Sequence, residues 1–430
     1  MSKISSQPSS KTRWYRIGTL LFLIYIFAFI DRTNIGMAAP SMTKELGLTP
    51  ATMGVIMSAF FWGYVLTQVP GGWVAQKFSA KWIIVILSMT FAIFSALTGV
   101  MKTVSSLEVV RFLLGLAEGF MWPSFMVLAS RWFPMHERAQ ITGLIFIGVP
   151  LSGAVLSPLA GWMIQTWDWQ VMFYLQAIPP FILAVLAMFL LSDDPMKDKR
   201  LSMDEREYIL NNRSNPSTDD HTKKQPFLKS ILSIRLWVLA VIYLFWLCGL
   251  YAYGLWLPSA VKSLGDLSTT MVGVLSAVPP LLGACAMTLN SRLSDKKMKR
   301  GKYVISWVAL GGIALLVGNF VHDPILSYML LCVIAIGVYG PFGVWWAWCL
   351  EHVSSEHVGT HNAVINLCGS FGGIIGPPMV ALASVGGNVG SGFYILGVAM
   401  LVAALLALLL NFSSNKAKAA ELSLEKPPAV

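Results

Sequence analysis

Twelve stretches of eighteen or more mostly apolar residues run through this chain, at about 17–40, 51–74, 82–101, 107–131, 139–164, 169–192, 236–262, 270–291, 303–321, 326–350, 359–383 and 390–411. Each is long enough to cross a hydrocarbon core of about 30 Å as a helix rising about 1.5 Å per residue. Lipid offers the backbone no hydrogen-bond partner, so stretches of this kind fold as helices. The expected fold class is therefore an all-α membrane protein with twelve transmembrane helices. With 56% hydrophobic and only 12% charged residues among 430, the chain has too little polar surface for a water-soluble fold.

Charge gives the expected topology. With a cytoplasmic N-terminus, 26 of the 31 Lys and Arg residues fall in cytoplasmic segments, three (Lys44, Lys102, Lys262) in outer loops, and Arg32 and Arg111 inside the membrane. That bias puts both termini in the cytoplasm. The net charge of +10 then reflects topology and anionic lipid, and gives no reason to expect a nucleic-acid partner. No small-residue cleavage site follows the apolar run 17–30, so the first helix is expected to be retained. The polar stretch 193–235, with nine basic residues, reads as a cytoplasmic linker between an N-terminal six-helix bundle (1–192) and a C-terminal one (236–430) with a short cytoplasmic tail. Ser202 and Glu205 have capping-box spacing, which predicts a short surface helix over about 202–212. Residues 226–237 read as an amphipathic turn on the inner leaflet.

The halves are related by a fixed offset. Gln76-Lys77 maps onto Asp295-Lys296 and Ser157-Pro158 onto Gly376-Pro377, both at 219 residues. A duplicated six-helix unit follows, an architecture whose halves rock about a midplane site. The same offset maps Asp31 to Leu250, Arg111 to Leu330 and Glu118 to Gly337. All the deep charges lie in the first half, which suggests that the N-terminal bundle handles protons while the C-terminal bundle shapes the cavity.

Charges in hydrocarbon are costly unless they face a partner or a cavity, and they usually mark a translocation path. Asp31 lies about 21 Å along its span and Glu118 about 16 Å from the outer end of its own. Arg111 and Glu118 are seven residues apart, two turns, and share a helix face. Occupation of an Arg by an anionic substrate would then control whether a carboxylate keeps its proton. The alternative is two static ion pairs pinning helices one and four together.

Several segments resemble one family. PGGWVAQKFSAK after span two, RFLLGLAEG in span four, WFPMHERA after it and GSFGGIIGPP in span eleven are similar to the major facilitator superfamily. FIDRTNIG in span one, with the span-four Arg and Glu, resembles its anion:cation symporter branch, the bacterial carriers of galactonate, glucarate, hexuronate and related organic anions. The resemblance implies that Asp31 and Glu118 are the protonatable pair and that Arg32 binds the substrate carboxylate. It implies that Arg111 partners Glu118 at the substrate site and that Tyr64 is a cavity hydrogen-bonder. It makes Trp346 and Asn366 substrate-facing, and Gly72, Gln76, Lys77 and Asp295 parts of a conformational motif. One cation for a carboxylate and neutral groups for hydroxyls suit a polyhydroxy acid. Gln76 and Ser79 depart from the family's acid and glycine, and Val149-Pro150 stands where sugar-acid carriers often place an amide.

Span seven is crowded with Tyr243, Trp246, Tyr251, Tyr253 and Trp256, some expected at lipid or the outer interface and a subset at the cavity. Glu351, His352, His357 and His361 read as a solvated loop at the cytoplasmic mouth. The five cysteines, without metal-ligand spacing, read as small buried apolar residues. No metal-site or nucleophile motif argues for an enzyme. The expectation is a monomeric secondary transporter of the bacterial cytoplasmic membrane. It would import an organic monocarboxylate, a sugar acid or a related hydroxy or aromatic acid, by proton symport without a cofactor or metal. The alternative is an organic anion antiporter or facilitator on the same fold.

Overall fold

Each of the twelve apolar stretches is a helix in the computed structural model, which describes residues 11–212, 232–353, 358–384 and 389–424. The helices are α1 (Arg13–Glu45), α2 (Pro50–Lys77), α3 (Ala80–Val100), α4 (Val104–Trp132), α5 (Met135–Thr166), α6 (Trp169–Leu190), α7 (Ile234–Lys262), α8 (Thr269–Lys297), α9 (Arg300–Gly318), α10 (Pro324–Cys349), α11 (Thr360–Ala383) and α12 (Gly390–Ser414). There is no strand among the described residues. Side-chain caps fix several starts: Thr49, Ser79, Thr103, Asp168 and Asp323 each accept a hydrogen bond from the backbone N–H three residues on, at 2.7–3.3 Å. Each satisfies one of the donors that a helix N-terminus leaves without an intrahelical partner.

Two helices are interrupted. α4 breaks at Phe120, between Val104–Gly119 and Met121–Trp132, and α10 breaks at Gly340-Pro341, between Pro324–Tyr339 and Phe342–Cys349. Phe120 plus 219 is Tyr339, the residue just before the second break, so the two breaks fall within two residues of each other in the repeat. Pro341 has no N–H to continue the ladder. Near this break the Val338 carbonyl accepts from Trp246 Nε1 and the Gly340 carbonyl from Asn290 Nδ2, each at 2.9 Å.

Packing groups the chain into two compact units, Met1–Lys223 with Gly254–Val278, and Lys224–Tyr253 with Pro279–Val430. The end of α7 and the start of α8 thus pack in the first unit. A side chain on Gly36 would strike the Leu255 carbonyl, and one on Gly273 would strike the Ser157 carbonyl.

The short linker helix is present as Met203–Asn211, with Ser202 Oγ accepting from the Glu205 N–H at 3.2 Å. The Glu205 carboxylate, however, is engaged by the start of α1. It accepts from Thr12 N at 3.2 Å, Arg13 N at 3.0 Å and Arg13 Nη1 at 2.8 Å. Arg13 also holds Glu137 of α5, through Nε at 2.9 Å and Nη2 at 2.5 Å. Tyr208 donates to the Glu137 carboxylate at 3.1 Å, and burial together with that carboxylate pushes its phenol up. Of the amphipathic turn read over 226–237, residues 226–231 lie outside the described residues, and Ile234 to Trp237 are the first turn of α7.

Within the first unit α2 and α4 meet backbone to backbone. A methyl group on Gly115 would overlap the Phe60 carbonyl, and one on Gly63 would overlap the Phe112 carbonyl. This close approach brings the Phe60 and Tyr64 rings up to the charged stretch of α1. We expect Gly115→Val to force the helices apart and cost about 1–3 kcal/mol, seen as a lower thermal unfolding midpoint in detergent. An unchanged midpoint would contradict the packing described.

Candidate functional site: a buried charge network in the first unit

Successive residues on an α-helix point about 100° apart, so Asp31 and Arg32 face different neighbours. Asp31 faces α3 and α6. Its Oδ1 accepts from Ser95 Oγ at 2.5 Å and Asn34 Nδ2 at 3.1 Å, and Asn34 Nδ2 also reaches Gln176 Oε1 at 3.1 Å. Arg32 faces α2 and α4. Its Nη2 donates to Glu118 Oε2 at 3.2 Å, an ion pair whose carboxylate side chain is fully enclosed. The guanidinium carbon lies 4.5 Å from the Tyr64 ring centre, 5.1 Å from Phe29 and 5.2 Å from Phe60. Such ring faces attract a cation most where water is excluded.

The expected Arg111–Glu118 pair is not what forms. Arg111 is completely buried and donates through Nη1 to the Asp31 carbonyl at 2.8 Å and through Nη2 to the Arg32 carbonyl at 3.0 Å. A helix carbonyl has two lone pairs and one intrahelical donor, so it can take a second. Arg111 thus clamps the backbone that presents Asp31 and Arg32, and its charge lies 5.3 Å from the same Phe60 ring. Asp31 Oδ2 and Glu118 Oε1 accept no hydrogen bond among the described residues. Each acid therefore has one oxygen held and one open to a proton.

The structure brings Asp31, Arg32, Tyr64, Arg111 and Glu118 into one network. Tyr64 presents its ring face to Arg32 and is stacked on Phe60 at 5.8 Å. Trp346 and Asn366 belong to the second unit. There Trp346 packs edge-on against Tyr243 at 5.4 Å, and Trp345 stacks on the same Tyr243 at 5.1 Å. Asn366 is half-buried, and its carbonyl accepts from Ser370 at 2.9 Å. Trp346 Nε1 is enclosed and donates to no described residue.

Other expectations change. Tyr243, Trp246, Tyr253 and Trp256 are buried and Tyr251 is half-buried, so four of the five rings are interior. His361 is buried in α11 and not in a solvated loop, while Glu351 is exposed and pairs with Arg300 at 3.1 Å; His357 lies outside the described residues. Cys248 and Cys349 are buried, but Cys285 is exposed. In the last turns of α2, Gln76 is exposed, Gly72 has open space around it, and Lys77 lies over the Trp73 ring at 4.6 Å; Asp295 in α8 is exposed. The carboxylate that ties down the connection from α2 into α3 is Asp193. It accepts from Ser79 Oγ, from Lys81 N at 3.0 Å and from Arg131 Nη1 at 3.2 Å. The acidic pair directly after span six was its signal in the sequence.

Residues 21–377 match the sequence pattern of the Major Facilitator Superfamily. The chain belongs to that superfamily. It is 31% identical to a putative tartrate transporter of Agrobacterium vitis, over 94% of this chain and 91% of that one. It is 27% identical to a probable galactarate/D-glucarate transporter of Escherichia coli K12, over 85% and 87%. Among solved structures it is similar to a bacterial homolog of the human lysosomal transporter Spinster in an inward-facing, occupied conformation, at 16% identity with a TM-score of 0.72, covering 98% and 100%. That likeness shows the fold. The anion:cation symporter resemblance read from FIDRTNIG agrees with the relatives. As a superfamily member with twelve apolar helices, the protein is a multi-pass membrane transporter and not an enzyme.

Removing the Arg111 guanidinium would leave a cavity and strip the clamp from two buried carbonyls. We expect Arg111→Ala to lose on the order of 3 kcal/mol of stability whether or not substrate is present. Detergent unfolding midpoints check this, and a fully stable variant defective only in substrate affinity would contradict it.

Proposed function

We propose that the protein imports an organic monocarboxylate, a sugar acid or a related hydroxy acid, by proton symport across the bacterial cytoplasmic membrane with both termini inside. One observation carries the reading: Arg32, held by Glu118 and three aromatic rings, is a cation whose partner is a proton-accepting group. A substrate carboxylate can take two parallel hydrogen bonds from a guanidinium and so competes with Glu118 for it. When the anion wins, Glu118 is left enclosed without its cation and takes up a proton. Anion and proton then travel together, and the empty carrier restores the pair. Arg111 fixes the main chain beneath, and Asp31 is a second proton holder on the α3–α6 side. Trp346 and Asn366 contribute from the C-terminal half, an aromatic wall for the carbon face and an amide for hydroxyls. The Gly72–Lys77 end of α2 and Asp295 serve the conformational change, with Asp193 supplying the carboxylate that Gln76 lacks.

Two relatives are named for hydroxy acids with two carboxyl groups. Uptake of tartrate, glucarate and sugar monoacids into proteoliposomes, in competition, separates the substrate classes. Preference for a diacid would overturn the monocarboxylate assignment and leave the coupling scheme standing.

In the same vesicles Glu118→Gln should end accumulation driven by an inward proton gradient and keep substrate counterflow, because an amide imitates the protonated acid. Wild-type accumulation by this variant would make Glu118 structural. Arg32→Lys should weaken binding about thirty-fold or more, since an ammonium cannot reproduce the two parallel bonds. Near-normal affinity in Arg32→Ala would exclude Arg32 as the anion ligand.

A further inference from the structure

At its start α1 departs from the α form: Arg13–Gly18 is a π-helical turn, a rare geometry that occurs frequently at functional sites. Beside this turn, between α1 and the end of α6, lies a groove of about 500 Å³. Its lining changes character along its length. Lys11 and Arg16 stand at the polar end, and Leu20 of α1 faces Leu183, Leu186 and Leu190 of α6 beyond them. No Asp or Glu lines it. From Lys11, which precedes the helix, the lining runs through the π turn to Leu20, roughly 10 Å, so the groove stays within one leaflet of a hydrocarbon core of about 30 Å.

The two cations are differently placed. Arg16 pairs with Asp198 and lies 5.3 Å from the Trp132 ring, which fixes its position. Lys11 is exposed and pairs with no carboxylate among the described residues. The polar end therefore carries a net positive charge above an aliphatic slot, in a helix pair that spans a membrane. Free phosphate would gain from the charge and nothing from the leucines; a zwitterionic lipid would gain from the leucines and little from the charge. A ligand with one net negative phosphate and an acyl chain satisfies both.

We propose that this groove binds an anionic phospholipid, with its phosphate at Lys11 and Arg16 and one acyl chain along Leu20, Leu183, Leu186 and Leu190. The site adjoins Thr12 and Arg13, whose backbone N–H groups hold Glu205 of the linker helix. Lipid bound there orders the turn that seats that helix.

The test is thermal unfolding of the full chain in neutral detergent with added phosphatidylglycerol, phosphatidylcholine or inorganic phosphate. Phosphatidylglycerol should raise the midpoint by about 2–4 °C more than phosphatidylcholine does, and inorganic phosphate should leave it unchanged. Lys11→Gln, which removes the unpaired charge, and Leu186→Trp, which fills the groove from an exposed position, should each abolish the difference between the two lipids. Reading that difference within each variant keeps the test valid if a substitution lowers the midpoint itself. Equal shifts with both lipids, an equal shift with phosphate alone, or an undiminished preference for phosphatidylglycerol in both variants would each overturn the proposal.

Discussion

A guanidinium and a carboxylate enclosed away from water hold each other in place, and the Arg32–Glu118 pair is the contact about which the first unit is arranged. Neither charge has water to fall back on. Breaking such a pair by removing one partner costs about 3–5 kcal/mol, because the other is left buried and uncompensated. The surroundings offset part of that cost. Phe29, Phe60 and Tyr64 give the guanidinium ring faces, and the glycine contacts of α2 with α4 bring two of those rings close enough. Arg111 holds the main chain of the residues that present the charge.

A guanidinium held by an enclosed carboxylate can serve a second anion only in turn. This is the physical content of the proposed coupling: a substrate carboxylate and an ionised Glu118 compete for Arg32, and protonation of the loser resolves the competition. Asp31 makes no ion pair with Arg32, although it lies within electrostatic reach of Glu118 and Arg111. Its hydrogen-bond donors are neutral side chains of α1 and α3, Asn34 and Ser95, with Gln176 of α6 behind them. Two acids in one network with different neighbours are suited to different steps.

Much of the fold was legible because its determinants are local. Apolar runs longer than eighteen residues allow one outcome in lipid, and all twelve are helices. Ser202 announced the linker helix, and the offset of 219 tied together turns that otherwise share little. The partners within the site were harder to read. Arg111 and Glu118 lie seven residues apart and share a face of α4, but a shared face does not decide partners. Each looks across to α1, where Arg32 takes the acid and two carbonyls take the arginine. Ser95 and Gln176 carry no sequence signal beyond being polar in apolar spans. Gly340-Pro341 marks the break in α10 plainly, whereas Phe120 in α4 gives no warning of its own. His361 read as part of a wet loop because four titratable residues lie close together in sequence; the helix that buries it begins between them.

Superfamily membership sets the architecture and leaves the coupling to a few side chains. The central claim is that binding of the anion leaves Glu118 to take up a proton. The most direct test adds saturating substrate to purified protein in a weakly buffered, neutral solution and follows the pH. Net proton uptake on binding, present in the wild type and absent in Glu118→Gln, is the predicted result. Substrate binding with no proton uptake by the wild type would contradict it.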